Sequence, residues 1–234
     1  LIAFYAQTTR DTRAPGLVAH VEFSNEVWNW GFSQATWAEE QGKARWGRES
    51  TWVQYYALRA SQMADIWAQT FGDQADSRLI RVLATQTGWI GLEDQILNAP
   101  DVLAEGKPAP ATHFDDYAVT GYFSALLGSE EKAPMVRDWI RQSEAQANIK
   151  AQAQGLTGTE ASTYLAKHRY DLAFTLAAEE LANGSLSGDP SDSLDDVTGR
   201  ILPYQADLAR RNNLTLMMYE GGTHGVGHAA LVED

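Results

Sequence analysis

Glu26 lies in the segment of the sequence that has the clearest chemical character. The apolar run 17–23 is followed by Asn25 and Glu26, and Trp28 and Trp30 come directly after them. An amide, a carboxylate and two indoles at the end of one strand suit a sugar, because aromatic rings pack on apolar surfaces and a carboxyl group can protonate a glycosidic oxygen. The alternative for Glu26 is a carboxylate at the N-cap or in the first turn of a following helix, where it would stabilise the helix dipole.

Glu220 is a second candidate carboxylate, near the other end of the sequence. It closes the apolar run 214–219 and precedes two glycines. Glycosidic cleavage uses one carboxyl group that is protonated and one that is ionised, facing each other across the scissile bond. We therefore expect Glu26 and Glu220 at one end of a sheet, with carboxyl oxygens roughly 4.5 to 6 Å apart, near the separation that retention of configuration requires. The alternative for Glu220 is a buried structural acid paired with an arginine such as Arg81.

The composition restricts the kind of partner. Eighteen basic and thirty-one acidic residues give a net charge of −13, which repels phosphate backbones and anionic membrane surfaces. No apolar run reaches the roughly 18 residues of a membrane-spanning helix. We therefore expect no nucleic acid partner and no membrane insertion. A length of 234 residues fits a single domain over 1–234, and a first residue Leu1 in place of Met suggests a processed or excised piece.

Alternating strand and helix patterns predict how the candidate residues are positioned. Each predicted strand is almost continuously apolar, which is typical of parallel β/α units whose sheet is covered on both faces. In such sheets functional side chains gather at the carboxyl ends of the strands. The strands are predicted over 17–24, 78–85, 113–119 and 214–219. The main helices are predicted over 50–72, about 133–154 and about 159–183, and a last helix, interrupted near Pro203, ends at 210–213.

Asn25 and Glu26 at the end of one strand, with Glu220 at the end of a later strand, resemble the clan A retaining glycoside hydrolases. The resemblance implies an α/β fold, a (β/α)8 TIM-barrel-like domain, with Glu26 as acid/base on strand four and Glu220 as nucleophile on strand seven. It implies that Asn25 holds the sugar 2-hydroxyl, that the substrate is a β-linked glycoside or polysaccharide, and that no cofactor is needed. The stretch 24–29 is also similar to one in uncharacterised bacterial proteins with this barrel, which implies an extracellular or periplasmic location.

The resemblance covers only part of such a barrel. The predicted strands would be the fourth to the seventh, and the sequence has no room for the first three strands or the eighth. Closure of a barrel needs about eight strands at a fixed shear, so we expect an incomplete barrel in this chain. An open arc with an exposed edge and closure by another chain are both compatible with this. A non-catalytic carbohydrate-binding barrel is the main alternative function.

Several further residues are candidate substrate contacts or ligands. Glu220, His224 and His228 have the spacing of metal ligands on a helix, so a metal-dependent hydrolase is another alternative. The glycines among them argue against a regular helix, and we expect no metal site. The candidate contacts with the sugar are Asn25, Trp28, Trp30, Gln86, Tyr117, Tyr122 and His224.

Overall fold

The computed structural model describes residues 1–226, in which helices alternate with four strands. The strands are β1 (Ala19–Glu22), β2 (Leu79–Ala84), β3 (Asp116–Phe123) and β4 (Thr215–Thr223). The α-helices are α1 (Ile2–Thr12), α2 (Ser33–Trp46), α3 (Trp52–Phe71), α4 (Ala75–Arg78), α5 (Asp94–Leu97), α6 (Pro100–Ala104), α7 (Ala133–Ala153), α8 (Gly158–His168), α9 (Asp171–Asn183), α10 (Leu194–Asp196) and α11 (Leu202–Arg211). The predicted mixed α/β class is confirmed, and none of the helices in this part of the chain is long and apolar enough to span a membrane.

The strands form one sheet in the order β1-β2-β3-β4. β1 pairs in parallel with β2, with Glu22 opposite Val82, and β2 pairs in parallel with β3, with Val82 opposite Asp116. β4 lies beside β3, where the Thr215 N–H donates to the Asp115 carbonyl at 3.0 Å. This four-stranded parallel sheet is compatible with an incomplete β/α barrel, and the eightfold barrel itself stays a prediction.

One face of the sheet packs against α1 and α3. Ala19 and Val21 of β1 share a buried cluster with Trp67 and Phe71 of α3. Because successive side chains of a strand point to opposite faces, Glu22 points away from this cluster. Glu22 is accordingly exposed, and the burial along β1 alternates, whereas the sequence analysis predicts strands that are covered on both faces.

The chain divides into two compact units. The first contains residues 1–120 and 204–220, and the second contains 121–203 and the described residues from 221 onward. Most of the predicted site residues, including both glutamates, belong to the first unit. Tyr122 and His224 belong to the second unit. The predicted single domain over 1–234 stays a prediction.

One predicted helix is two helices in the structure. The region 159–183 forms α8, which ends at His168, and α9, which begins at Asp171. The Leu172 N–H in the first turn of α9 donates to the Ser143 hydroxyl at 3.1 Å, so a residue of α7 satisfies a donor that a continuous helix would bind itself. This contact between helices is not visible in the local sequence pattern, which contains no glycine or proline at the break.

Candidate functional site

Glu26 lies in a tight turn that follows β1. Ser24 and Glu26 have positive φ values of 66° and 41°. Left-handed backbone at residues other than glycine costs on the order of 1–3 kcal/mol and clusters at functional sites. The helix α2 begins only at Ser33, with Phe32 at its N-cap, so Glu26 is not in the first turn of a helix. The alternative interpretation of Glu26 as a helix-stabilising carboxylate is therefore wrong.

Asn29 holds the Glu26 carboxylate. Its Nδ2 donates to Glu26 Oε2 at 2.9 Å, and its Oδ1 accepts the Gly31 N–H at 2.9 Å. The Asn29 N–H also donates to the Glu26 carbonyl at 2.8 Å. One amide side chain thus couples the orientation of the carboxylate to the turn that carries Trp30. Sequence reasoning missed Asn29, although asparagine three residues after Glu26 has the spacing of a turn.

An open hollow of about 650 Å³ lies beside Glu26. Its lining comes from the turns after β1 and β2 and combines a carboxylate, two amides and three indoles. The lining residues are Glu26, Trp28, Asn29, Trp30, Gln86, Gly88 and Trp89. Mostly aromatic walls with a few convergent polar groups are typical of small-molecule sites. The hollow therefore brings together four of the predicted residues, Glu26, Trp28, Trp30 and Gln86.

Two of the three indoles in the hollow are open to solvent. Trp30 is 53% exposed and Trp89 is 47% exposed. The buried Trp52 lies beside both, with ring centroids 5.1 Å from Trp30 and 6.1 Å from Trp89. Trp28 is only 5% exposed and packs edge-on against Tyr56 at 6.4 Å. Trp30 and Trp89 thus offer ring surface to a ligand, whereas Trp28 mainly supports the turn.

The turn that carries Trp89 is fixed by hydrogen bonds. Gln86 Oε1 accepts the Trp89 N–H at 2.5 Å, so this predicted substrate contact also supports the turn. The Thr87 carbonyl accepts from Gln205 Nε2 at 2.9 Å, and Thr87 Oγ1 accepts the Thr120 N–H at 2.7 Å. Sequence reasoning did not identify Trp89, because its place beside Trp30 depends on the pairing of β1 with β2.

Glu93 anchors the far end of the same turn. It is 3% exposed, and its carboxylate accepts the Gly91 N–H at 2.8 Å and the Tyr204 hydroxyl. Burial and the bond to Glu93 raise the pKa of Tyr204 to about 12, so this hydroxyl remains a donor. A buried carboxylate is tolerated only when it is hydrogen-bonded, so these partners specify one position for the turn.

Glu22 is a third carboxylate near the predicted pair, and sequence reasoning missed it. Burial by surrounding protein atoms, followed by the charges of Glu26 and Glu220, raises the pKa of Glu22 to about 7. The side chain keeps solvent contact, which weakens these effects without reversing them. The charges of Glu26 and Glu220 thus both reach this carboxyl group. The separation between their own oxygens stays a prediction.

Glu220 lies inside β4, which corrects the prediction that it ends the strand. The strand continues for three further residues. Gly221 packs on the backbone of Gly121, where a methyl group at 221 would be 3.0 Å from the Gly121 carbonyl oxygen. Gly221 therefore permits a close approach between strands, and both glycines lie within β4. Arg81 binds the carboxylate of Asp115 at 2.6 and 2.8 Å, so this arginine is engaged by a partner other than Glu220.

Tyr117 and Asn25 differ in how they fit the prediction. Tyr117 is 0% exposed, and its hydroxyl donates to Gln205 Oε1 at 2.8 Å. The prediction that Tyr117 contacts a sugar is therefore wrong, because the first half of β3 is buried on both faces. Asn25 is exposed, and its carbonyl accepts from Gln34 Nε2 at 2.6 Å. The contact of the Asn25 side chain with a sugar stays a prediction.

Tyr122 and His224 pair with each other in the second unit. Their ring centroids are 4.8 Å apart with an angle of 33° between the planes. Their contact with a sugar stays a prediction. Within residues 1–226, no group of three His, Cys, Asp or Glu side chains is arranged to hold a metal ion. His228, the third residue of the alternative metal set, lies outside the described residues.

Comparison with known proteins gives no support for or against the functional interpretation, which therefore depends on the site residues. No family model, no curated protein and no solved structure matches the chain. The resemblance to the clan A glycoside hydrolases therefore rests on Asn25, Glu26 and Glu220. Chemically, the hollow can stack an uncharged ring on exposed indoles beside a carboxyl group that is held by an amide.

Proposed function

We propose that the chain takes part in the hydrolysis of a β-linked glycoside or polysaccharide with retention of configuration. Glu26 is the acid/base, Glu220 is the nucleophile, and Asn25 holds the sugar 2-hydroxyl. The observation that carries the proposal is the indole-lined hollow beside the Glu26 carboxylate that Asn29 holds, and the pairing of Glu26 with Glu220 is part of the proposal. A retaining site needs such a pair, and indoles suit the apolar faces of sugar rings.

The reaction proceeds in two displacements at the anomeric carbon. In the first, the Glu220 carboxylate attacks this carbon, the glycosidic C–O bond breaks, and the leaving oxygen takes the proton of Glu26. In the second, the ionised Glu26 accepts a proton from water while the water oxygen attacks the same carbon and releases Glu220. Two inversions give net retention. Asn29 assists by orienting the Glu26 carboxyl group through its Nδ2 bond.

The matching fold is a (β/α)8 barrel in which β1 to β4 are strands four to seven. The order and parallel pairing of the strands support this, as do the positions of Glu26 after β1 and Glu220 in β4. Closure would need about four further strands from outside this chain. The same resemblance supports an extracellular or periplasmic role in bacterial polysaccharide degradation.

Chemical rescue tests the two roles separately in the full-length gene product. Glu220→Ala is expected to abolish turnover of every substrate, because no covalent intermediate can form. Glu26→Ala is expected to retain turnover of activated aryl glycosides, whose leaving groups depart without protonation. Azide should accelerate Glu26→Ala and yield the β-glycosyl azide, whereas azide with Glu220→Ala should yield the opposite anomer.

A matched control keeps this test interpretable. Glu40 is an exposed carboxylate of α2 that does not belong to the described lining of the hollow, and Glu40→Ala should keep the parent rate. Product anomers are assigned by proton NMR. Parent-like hydrolysis of an activated aryl glycoside by both Glu26→Ala and Glu220→Ala would remove both residues from catalysis.

A non-catalytic carbohydrate-binding barrel is the second candidate function. The exposure of β4 favours it, because Met218 is 58% exposed and Tyr219 is 36% exposed, whereas catalytic charges act best in a site that excludes water. This candidate predicts that the full-length protein binds oligosaccharides without turnover. Calorimetry should then give equal affinities for the parent and for Glu220→Ala.

A further inference from the structure

We infer that the hollow between the turns after β1 and β2 binds the leaving-group side of a neutral, β-linked sugar chain. The inference rests on the proposed function and assigns a substrate class and a direction to its site. Trp30 and Trp89 form the two stacking walls. The chain would run from the cleaved bond beside Glu26 outward along these two indoles.

The direction follows from which catalytic carboxylate the hollow contains. In a retaining reaction the acid/base lies next to the leaving oxygen, while the nucleophile faces the anomeric carbon of the other sugar. Of the two proposed catalytic residues, the described lining of the hollow includes Glu26 and does not include Glu220. The hollow is therefore on the side of the departing sugar.

The substrate class follows from the shape and charge of the lining. Both Trp30 and Trp89 contact Trp52, and the two centroid distances of 5.1 and 6.1 Å limit their own separation to about 11 Å. Two exposed indoles at this distance suit the rings of a short oligosaccharide segment. The described lining contains no Lys or Arg, and its one charged group is the Glu26 carboxyl. An acidic sugar would find no counter-charge there, so the site favours neutral sugars.

Both walls are held in place before a ligand arrives. Asn29 fixes the Trp30 turn through Gly31 and Glu26, and Glu93 fixes the Trp89 turn through the Gly91 N–H. Walls that are already ordered need little further ordering on binding, which favours affinity. The turns that carry Trp30 and Trp89 are therefore fixed by hydrogen bonds, as expected for residues of a binding site.

The test compares leaving groups in the full-length protein. Trp89→Ala should lose at least about tenfold more kcat/KM on neutral cello-, manno- or xylo-oligosaccharides than on an aryl β-glycoside of the same glycone, the loss expected for one stacked indole. Trp89→Phe should recover most of the difference. Trp37, 42% exposed on α2 and packed against Tyr55, is the matched control, so Trp37→Ala should keep the parent ratio of the two activities.

A second variant and a second readout protect the test against a folding defect. Trp30→Ala removes the other indole wall and should likewise lower kcat/KM on oligosaccharides more than kcat/KM on the aryl β-glycoside. In a retaining reaction a sugar bound on the leaving-group side also acts as an acceptor, so both alanine variants should form less transglycosylation product from an aryl donor and a neutral oligosaccharide. Oligogalacturonide, an acidic chain, should be a poor acceptor for the parent protein.

The outcomes separate this inference from the proposed function. Equal losses on aryl and oligosaccharide substrates in Trp89→Ala and in Trp30→Ala, with turnover still dependent on Glu26, would overturn the leaving-group site and leave the proposed function standing. Preference for oligogalacturonide would overturn the neutral class. Turnover that is independent of Glu26 and Glu220 would overturn the proposed function and this inference with it.

Discussion

Replacement of Glu39 by alanine should destabilise the first unit by removing the cap of α3. Glu39 lies in α2, and its carboxylate accepts three consecutive backbone N–H groups at the start of α3. These belong to Ser50 at 2.6 Å, Thr51 at 2.8 Å and Trp52 at 3.0 Å. The N-cap of α3 is Thr51, whose own side chain makes no capping hydrogen bond. A carboxylate from a neighbouring helix takes this role.

The expected magnitude follows from the burial of the three donors. Ser50 is exposed, so its N–H can bind water once the carboxylate is gone. Thr51 is 0% exposed and Trp52 is 8% exposed, so both of their N–H groups would lose their partner. An unsatisfied buried donor costs about 1–3 kcal/mol, which gives a loss of about 2–6 kcal/mol for Glu39→Ala. Glu39→Gln keeps one acceptor oxygen without the charge and should lose about 1 kcal/mol.

Urea unfolding followed by indole fluorescence measures this loss. Seven of the eight tryptophans lie in the first unit, so the signal reports mainly on that unit. Glu40→Ala is the control, because Glu40 is the exposed neighbour of Glu39 on the same helix. An unfolding free energy of Glu39→Ala within about 0.5 kcal/mol of the Glu40→Ala value would refute the reasoning, since surface changes stay within that range.

Two further predictions concern buried or crowded charges in each unit. The pKa of Glu22 is raised from 4.5 to about 7, so the unfolded chain releases this proton first and the parent loses stability as pH rises through this window. The melting temperature of Glu22→Gln should therefore exceed that of the parent by more at pH 8 than at pH 5, and an equal difference at both would contradict the raised pKa of Glu22. In the second unit, Lys132 Nζ lies 3.0 Å from the fully buried Glu180 carboxylate. Lys132→Ala should cost about 3–5 kcal/mol by circular dichroism, because it leaves the Glu180 charge buried without its cation, and a loss below about 1 kcal/mol would contradict it.

The elements could be predicted from the sequence because their signals are local. All four strands lie within four residues of their predicted bounds, since each has a continuous or alternating apolar pattern. Glu26 could be identified for the same reason, because it follows a strand and is flanked by indoles. Glu22 was also accessible in principle, since it alternates with the buried Val21 along β1.

The rest of the site depends on contacts between segments that are distant in sequence. Trp89 becomes a wall only because β2 pairs with β1, which brings its turn beside Trp30. Gly221 comes after the predicted strand, and glycine is common in turns. Its packing against Gly121 nevertheless keeps it in β4. Tyr117 lies near a predicted strand end, and only the full length of β3 shows that this residue is in the core. Local patterns contain none of these pairings.

Several local costs of the first unit fall at Glu26 or beside it, and together they favour a functional interpretation. Positive φ values at Ser24 and Glu26 would be less strained with glycine, and the crowded Glu22 would be neutral as glutamine. Exposed indoles such as Trp89 add no burial to the core. At each of these positions a simple substitution would make the chain more stable. Residues that depart from the preferred backbone or charge state, and that lie together at one site, are typical of functional sites. The buried face of α3 and the anchored turns offset these costs, and they hold the carboxyl group and the aromatic walls in one arrangement before a sugar binds.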